Sequence, residues 1–174
     1  MIGAPLVIVF RLIHVVVGVF WVGALLFFAR FIFPSAIALG GAAFPFMDQL
    51  GRVRKVPLVL MGSGLITVIS GFILYWNDAA GMPGVWAAST TGKVIGGGAL
   101  LAVIALTIGL TVNKPAFKKL LALGAAVQSQ GGKPSAEQSA EIQRLQGRLA
   151  MALRIISVLL LLATASMAVA RYVP

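Results

Sequence analysis

The feature that most restricts the fold of this chain is a set of four long apolar segments, over about residues 5–33, 57–76, 92–112 and 149–172. A helix needs roughly 20 apolar residues to cross a bilayer, and a helix satisfies its own backbone hydrogen bonds in lipid. The alternating pattern that barrel strands require is absent from these segments. We therefore expect an all-α integral membrane protein, a bundle of four transmembrane helices that forms one domain over residues 1–174.

Composition supports this class and excludes several kinds of site. Hydrophobic residues make up 60% of the chain and charged residues 10%, fractions far from those of soluble domains. Cysteine is absent, which excludes disulfides, thiolate metal sites and thiol nucleophiles. The net charge of +10 comes from basic residues beside the apolar segments. We expect anionic headgroups of a lipid bilayer as their partner, and no nucleic acid.

Positive charge is distributed unevenly between the two ends of the predicted bundle. The segment over residues 77–91 contains no Lys or Arg. The loops after the first and third spans are basic, with Arg52, Arg54 and Lys55 in one and Lys114, Lys118, Lys119, Lys133, Arg144 and Arg148 in the other. The positive-inside rule predicts a multi-pass protein of the bacterial cytoplasmic (inner) membrane, with both basic loops in the cytoplasm and both termini outside. The N-terminus lacks the features of a cleaved secretory signal, so we expect it to be retained.

Residues 115–148, between the third and fourth spans, have a helical pattern of their own. Apolar residues recur there near helical spacing at Phe117, Leu120, Leu121 and Val127. Gly131 and Gly132 predict a turn, and Ser135 with Gln138 has the pattern of a capping box at the start of the next helix. We expect a helical cytoplasmic extension in the form of a short antiparallel hairpin. A solvated connector is the alternative.

The first span is bounded by charged residues and by proline. Arg11 and Arg30 lie 19 positions apart in the sequence, which is about 28 Å along a helix and close to the thickness of the hydrocarbon core. Their guanidinium groups can therefore reach opposite membrane interfaces. Pro34 and Pro115 fall where we expect the first and third spans to end.

His14, the single histidine of the chain, lies one turn inward of Arg11 and shares a helical stripe with Trp21. Ionisable groups inside a membrane mark functional sites by default. A neutral imidazole could ligate the iron of haem b, with Arg11 and Lys93 available to the propionates and Trp21 packing on the ring. Alternatively, His14 forms a hydrogen bond with a neighbouring helix, and Trp21 packs against other helices.

Copper binding and acid–base catalysis are two further kinds of site on which the sequence bears. Copper binding would use His14 as a metal ligand, with Met82 and Met167 predicted on the same side of the membrane. Paired carboxylates for acid and base chemistry are missing, because the four acidic residues fall outside the spans, at Asp48, Asp78, Glu137 and Glu141. We assign no catalytic residues, and the sequence favours a protein that is not an enzyme.

The first span also resembles a known family. His14, Trp21, Gly23 and Arg30 have the spacing found in the first helix of the CopD-like membrane superfamily, which includes the copper-resistance D proteins and the HemJ family. In HemJ-type proteins a first-helix His and a Lys opening the third helix form the functional pair, and His14 and Lys93 match these positions. The resemblance implies a four-helix membrane bundle and makes a haem site or copper handling an expected function.

Three functions follow as expectations. The first is a non-enzymatic accessory or structural subunit that packs against a larger membrane complex or against another copy of itself. The second is a haem b-binding redox protein similar to HemJ, with His14 as the ligand. The third is copper handling, as in the copper-resistance D proteins.

Overall fold

The computed structural model describes residues 3–80 and 82–173, and all regular structure in this part of the chain is helical. The α-helices are α1 (Ala4–Phe27), α2 (Phe33–Leu39), α3 (Phe44–Asp48), α4 (Val56–Asp78), α5 (Pro83–Ala88), α6 (Thr90–Ile108), α7 (Lys114–Ser129) and α8 (Ala136–Val169). Segments of π-helix lie at Phe28–Ile32, Gln49–Val53 and Gly109–Asn113, and 3₁₀ turns lie at Gly40–Ala43 and Ala170–Tyr172. The expected all-α class is confirmed for the described residues.

Four continuous helical stretches are long and apolar enough to cross a membrane: Ala4–Val53, Val56–Asp78, Thr90–Ser129 and Ala136–Tyr172. Each of them contains one of the predicted spans. The expected number of membrane-length helices is therefore confirmed. Their length and composition indicate a multi-pass membrane protein.

Pro34 and Pro115 do not end their helices, and the ending of the first and third membrane spans at these residues stays a prediction. Each proline follows a π-helical segment, and the helix continues beyond it. The residue before each proline, Phe33 or Lys114, donates its N–H to the carbonyl five residues earlier. Proline then takes the second position of the next α-helix, where its missing N–H interrupts the hydrogen-bond ladder least.

The residues between the third and fourth spans form the predicted antiparallel hairpin. α7 and the first part of α8 pack together through buried apolar side chains, including Phe117, Leu121, Leu145 and Leu149. Gly131 and Gly132 have φ angles of 88° and 81° in the turn, a conformation that glycine adopts without steric cost. Ser135 and Gln138 form the expected capping box. The cytoplasmic location of the hairpin stays a prediction.

Both basic loops lie at the same end of the bundle. Arg52 donates from Nη2 to the Leu121 carbonyl at 3.3 Å, which connects the loop after the first span with α7. At the opposite end, the Thr91 hydroxyl donates to the Val173 carbonyl at 3.4 Å. The structure therefore has one strongly basic end. The assignment of that end to the cytoplasm stays a prediction.

Glycines allow the helices to approach closely. α1 packs mainly along α4, and α6 packs mainly along α8. A Cβ atom placed on Gly64 of α4 would lie 2.7 Å from Cε2 of Trp21, and one placed on Gly18 of α1 would lie 3.2 Å from Cγ2 of Thr67. On the other pair, a Cβ atom on Gly98 would lie 3.2 Å from the Ala163 carbonyl oxygen. Small residues at these contacts are typical of membrane helix pairs, as the sequence predicts.

Gly64 gives a direct test of this packing. Gly64→Ala should lower the free energy of unfolding in detergent by about 1–3 kcal/mol, because the added methyl group collides with the buried indole ring of Trp21. Gly62→Ala is the matched control on the same helix, since a Cβ atom there meets nothing within 4 Å. Equal stability of the two variants, measured by thermal unfolding, would contradict the packing.

The hairpin is also joined by an ion-pair cluster at Glu141. Lys119 Nζ lies 2.6 Å from Oε1 of Glu141, and Arg144 Nε lies 2.7 Å from Oε2. Hydrogen bonds from Arg144, and then from Lys119, lower the pKa of Glu141 from 4.5 to about 2. A lowered pKa contributes stability above the pKa of the unfolded chain, and this contribution is lost as the pH falls through the folded value.

The cluster predicts a pH-dependent difference between wild type and Glu141→Gln. Amide protection factors at the hairpin tip should be higher in wild type near neutral pH. The difference should shrink as the pH falls from about 4.5 toward 2, and salt should weaken it because the pair is exposed. A difference that stays constant over this range would show that the charge of Glu141 does not hold the hairpin together.

Candidate functional site

His14 lies at the contact between α1 and α4. Its Nδ1 atom is 2.8 Å from the backbone carbonyl oxygen of Thr67 and 3.4 Å from Oγ of Ser70. A Cβ atom placed on Gly71 would lie 2.8 Å from Cε1 of His14. The imidazole therefore packs against a part of α4 where only glycine leaves enough room.

This geometry determines which ring nitrogen carries the proton. A carbonyl oxygen can only accept a hydrogen bond, so Nδ1 of His14 must donate to Thr67. In the neutral ring, Nε2 then has a lone pair. A histidine whose Nδ1 donates to a backbone carbonyl has the orientation that metal-binding histidines commonly adopt, but the same bond also satisfies a histidine whose role is to join two helices.

The hydroxyl groups near His14 are satisfied within α4 itself. Ser63, Thr67 and Ser70 are buried. Thr67 donates to the Ser63 carbonyl at 2.8 Å, and Ser70 donates to the Ile66 carbonyl at 2.7 Å. Ser63 donates to the Leu60 carbonyl at 3.0 Å. Ser70 Oγ lies near Nδ1 of His14, but an Nδ1 atom that donates to Thr67 has no lone pair with which to activate that hydroxyl group as a nucleophile.

Trp21 lies two turns farther along α1 than His14 and is 3% exposed. Its ring packs on Gly64, in a buried cluster with side chains of α6 and α8 that includes Ala105, Leu106, Ile156 and Leu160. Neighbouring helices surround most of the ring, which also borders an apolar cavity of about 80 Å³. Of the two interpretations of Trp21 from sequence, this arrangement corresponds to helix packing.

Arg11 and Lys93, the other residues of the predicted haem site, are both exposed. On α1, Arg11 lies one turn from His14, as expected from the spacing. Lys93 lies at the start of α6, where the adjacent Gly92 carbonyl accepts a hydrogen bond from Tyr75 at 3.4 Å. Of the four predicted residues, His14 contacts α4 at Thr67 and Gly71, and Trp21 contacts it at Gly64.

The surroundings of His14 do not fit an enclosed haem. Nδ1 of His14 donates a hydrogen bond to the Thr67 carbonyl, so Nε2 is the nitrogen that would be available to bind iron. However, Gly71 closes the α4 side of the His14 imidazole. The position expected for a haem ring next to Trp21 is occupied by Gly64 and the neighbouring side chains. Trp21 lines an apolar cavity of about 80 Å³ together with Leu25, Leu106 and Phe117, but His14 is not among the residues that line it.

The copper prediction names His14, Met82 and Met167. Met82 is 62% exposed, and the Met167 Cε atom lies near Gly98 on α6. Within residues 3–80 and 82–173, no three His, Cys, Asp or Glu side chains come together as a metal site. Copper binding therefore stays a prediction that depends on His14 and on thioether ligands.

A second polar feature, not predicted from the sequence, lies at the basic end. An open groove of about 530 Å³ runs between the start of α4 and α7. Its basic side chains are Arg52, Lys55, Lys114 and Lys118. The signal in the sequence that could have indicated this groove is the predicted placement of both basic loops on one side of the membrane. The contact between Arg52 and α7 that closes the groove depends on tertiary structure.

Comparison with known proteins adds no family. No family model, no curated protein and no solved structure matches this chain. The resemblance to the CopD-like superfamily is therefore a prediction that depends on His14, Trp21, Gly23, Arg30 and Lys93.

Two substitutions distinguish the role of the Nδ1 hydrogen bond of His14 from the role of its free Nε2 atom. His14→Ala should lower the free energy of unfolding by about 1–2 kcal/mol, because the bond to α4 is lost. His14→Asn should keep most of that stability, since the amide nitrogen of Asn can take the place of Nδ1 and donate to Thr67. Thermal unfolding in detergent measures both. An Asn variant as unstable as the Ala variant would argue against the hydrogen bond as the main role.

Proposed function

We propose that this chain is a non-enzymatic accessory or structural subunit of the bacterial cytoplasmic membrane, which packs against a larger membrane complex. The observation that carries the proposal is the internal use of the polar groups between α1 and α4. His14, Ser63, Thr67 and Ser70 all form hydrogen bonds within this helix pair. The pair consequently holds itself together and presents apolar surface outward.

The outward surface is broadest on α1. Large apolar side chains there are half or more exposed, including Leu12, Val16 and Val19 at 60%, 63% and 69%. Together with Gly23, they form a row at spacings of four, three and four residues, which we call the α1 stripe. This spacing is typical of a seam between two helices. A Cβ atom on Gly23 would meet nothing within 4 Å, so the glycine leaves a notch into which another helix could pack.

Photo-crosslinking from the α1 stripe tests the proposal. A photoreactive residue at Val16 or Val19, in cells, should give a defined product with another membrane protein, and the same residue at Leu161 on α8 should not. Leu161 is 52% exposed and serves as a lipid-facing control. A product with the mass of two copies would identify the partner as a second copy of this chain. Equal labelling from both helices, or none from α1, would contradict a docking role for the stripe.

Gly23→Leu gives an independent test of the same face. The variant should fold with unchanged stability and lose the crosslink from Val19, because the larger side chain fills the notch. Gly97→Leu on α6 is the matched control, since a Cβ atom there also meets nothing within 4 Å. The control should keep the crosslink. Loss of the crosslink in both variants would show that the notch has no specific role.

The competing proposal is a haem b-binding redox protein with His14 as the ligand. The Nδ1 hydrogen bond to Thr67 favours it, because this bond orients Nε2 for a metal. The two proposals differ in the behaviour of His14→Asn, which keeps a donor for Thr67 and removes Nε2. Protein purified in a mild detergent should show no Soret band under the accessory proposal, and partner crosslinking should survive in His14→Asn. A Soret band in wild type that His14→Asn abolishes would replace the accessory proposal with the haem proposal.

A further inference from the structure

The groove at the basic end contains more positive charge than the protein neutralises. Arg52 pairs with Asp48, with Nε lying 2.7 Å from Oδ1. Lys55, Lys114 and Lys118 have no ion-pair partner within residues 3–80 and 82–173. Lys114 and Lys118 lie four residues apart on α7, so their side chains extend from the same face of the helix. Three like charges around one groove are a site for an anion.

The other lining of the groove is apolar. Pro57, Leu58 and Met61 form its α4 side, and Phe117 and Leu121 form part of its α7 side. Leu58 is 63% exposed. These α4 residues belong to the first turns of a membrane-length helix, so the groove begins at the basic rim and continues along a surface that would face acyl chains.

The groove also adjoins the interior of the bundle. A smaller apolar cavity of about 80 Å³ lies farther in, and Pro57, Met61, Lys114 and Phe117 line both spaces. The basic rim and the apolar interior therefore meet at the same four residues. A ligand that is charged at one end and apolar along its length would match both parts.

We propose that this groove binds one anionic phospholipid, with the headgroup phosphate between Lys55, Lys114 and Lys118 and an acyl chain along Pro57 and Met61. A soluble anion would use the lysines but gain nothing from the apolar side. Zwitterionic phospholipids have a cationic group that would face the same lysines. The inference depends on the chain spanning a membrane and is independent of whether the α1 stripe docks a partner.

Native mass spectrometry of the full chain in neutral detergent tests this inference. Dioleoyl phosphatidylglycerol should give a single bound lipid at low concentration, and dioleoyl phosphatidylcholine should bind much more weakly. Lys114→Gln/Lys118→Gln should reduce phosphatidylglycerol affinity by roughly tenfold or more, because each lysine near an anionic headgroup contributes substantially to binding. Lys55→Gln/Lys118→Gln removes one lysine from each side of the groove and should reduce the phosphatidylglycerol affinity to a similar extent.

The matched control removes the same charge elsewhere at the basic end. Arg54→Gln/Lys133→Gln changes two exposed residues that do not line the groove, and it should retain wild-type affinity. Thermal unfolding in neutral detergent without added phospholipid establishes that each variant is folded.

Three results would overturn the proposal. Equal losses in the groove variants and the control would indicate diffuse surface attraction. Binding of glycerol 3-phosphate as tight as that of the lipid would indicate a soluble-anion site. Equal binding of the two phospholipids would show that the headgroup charge is not recognised.

Discussion

The structure depends on the high cost of leaving a polar group unpaired in hydrocarbon. His14 is the strongest such group between α1 and α4, and its Nδ1 donates to the Thr67 carbonyl at 2.8 Å. Gly71 permits the imidazole to approach, and Gly18 and Gly64 bring the same two helices together farther along α1, between His14 and Trp21. The hydrogen bond and the glycine contacts therefore fix one register between the helices, and the remaining bundle packs against this pair.

The division of the molecule into two ends follows from the same constraint. Charged groups cannot be placed cheaply within the spans, so most of the basic residues collect in the loops and the α7–α8 hairpin at one end. There, Glu141 forms ion pairs with both Lys119 and Arg144, and Asp48 pairs with Arg52. The lysines of the groove lack such partners among the described residues. The polar side chains between α1 and α4 thus form hydrogen bonds within that helix pair, whereas the basic end presents charge to its surroundings.

Much of the fold could be predicted from the sequence because hydropathy, capping and turn signals act locally. The four spans and the capping box at Ser135 are of this kind. Pro34 and Pro115 do not end their helices, because the π-helical segment before each proline accommodates it. A hydrogen bond from His14 to another helix was predictable, but its acceptor was not. The acceptor depends on the helix register, which is set by contacts distant in sequence such as Gly64 with Trp21.

The most direct measurement of the central claim is the protonation pattern of His14. The chain has one histidine, so ¹⁵N-histidine labelling gives one pair of imidazole nitrogen signals in an NMR spectrum of the protein in detergent. We expect Nδ1 to carry a proton and to show a hydrogen-bond coupling to the carbonyl carbon of Thr67. An Nδ1 atom without a proton, or signals shifted and broadened by a metal bound to the ring, would contradict a histidine whose role is to join α1 to α4.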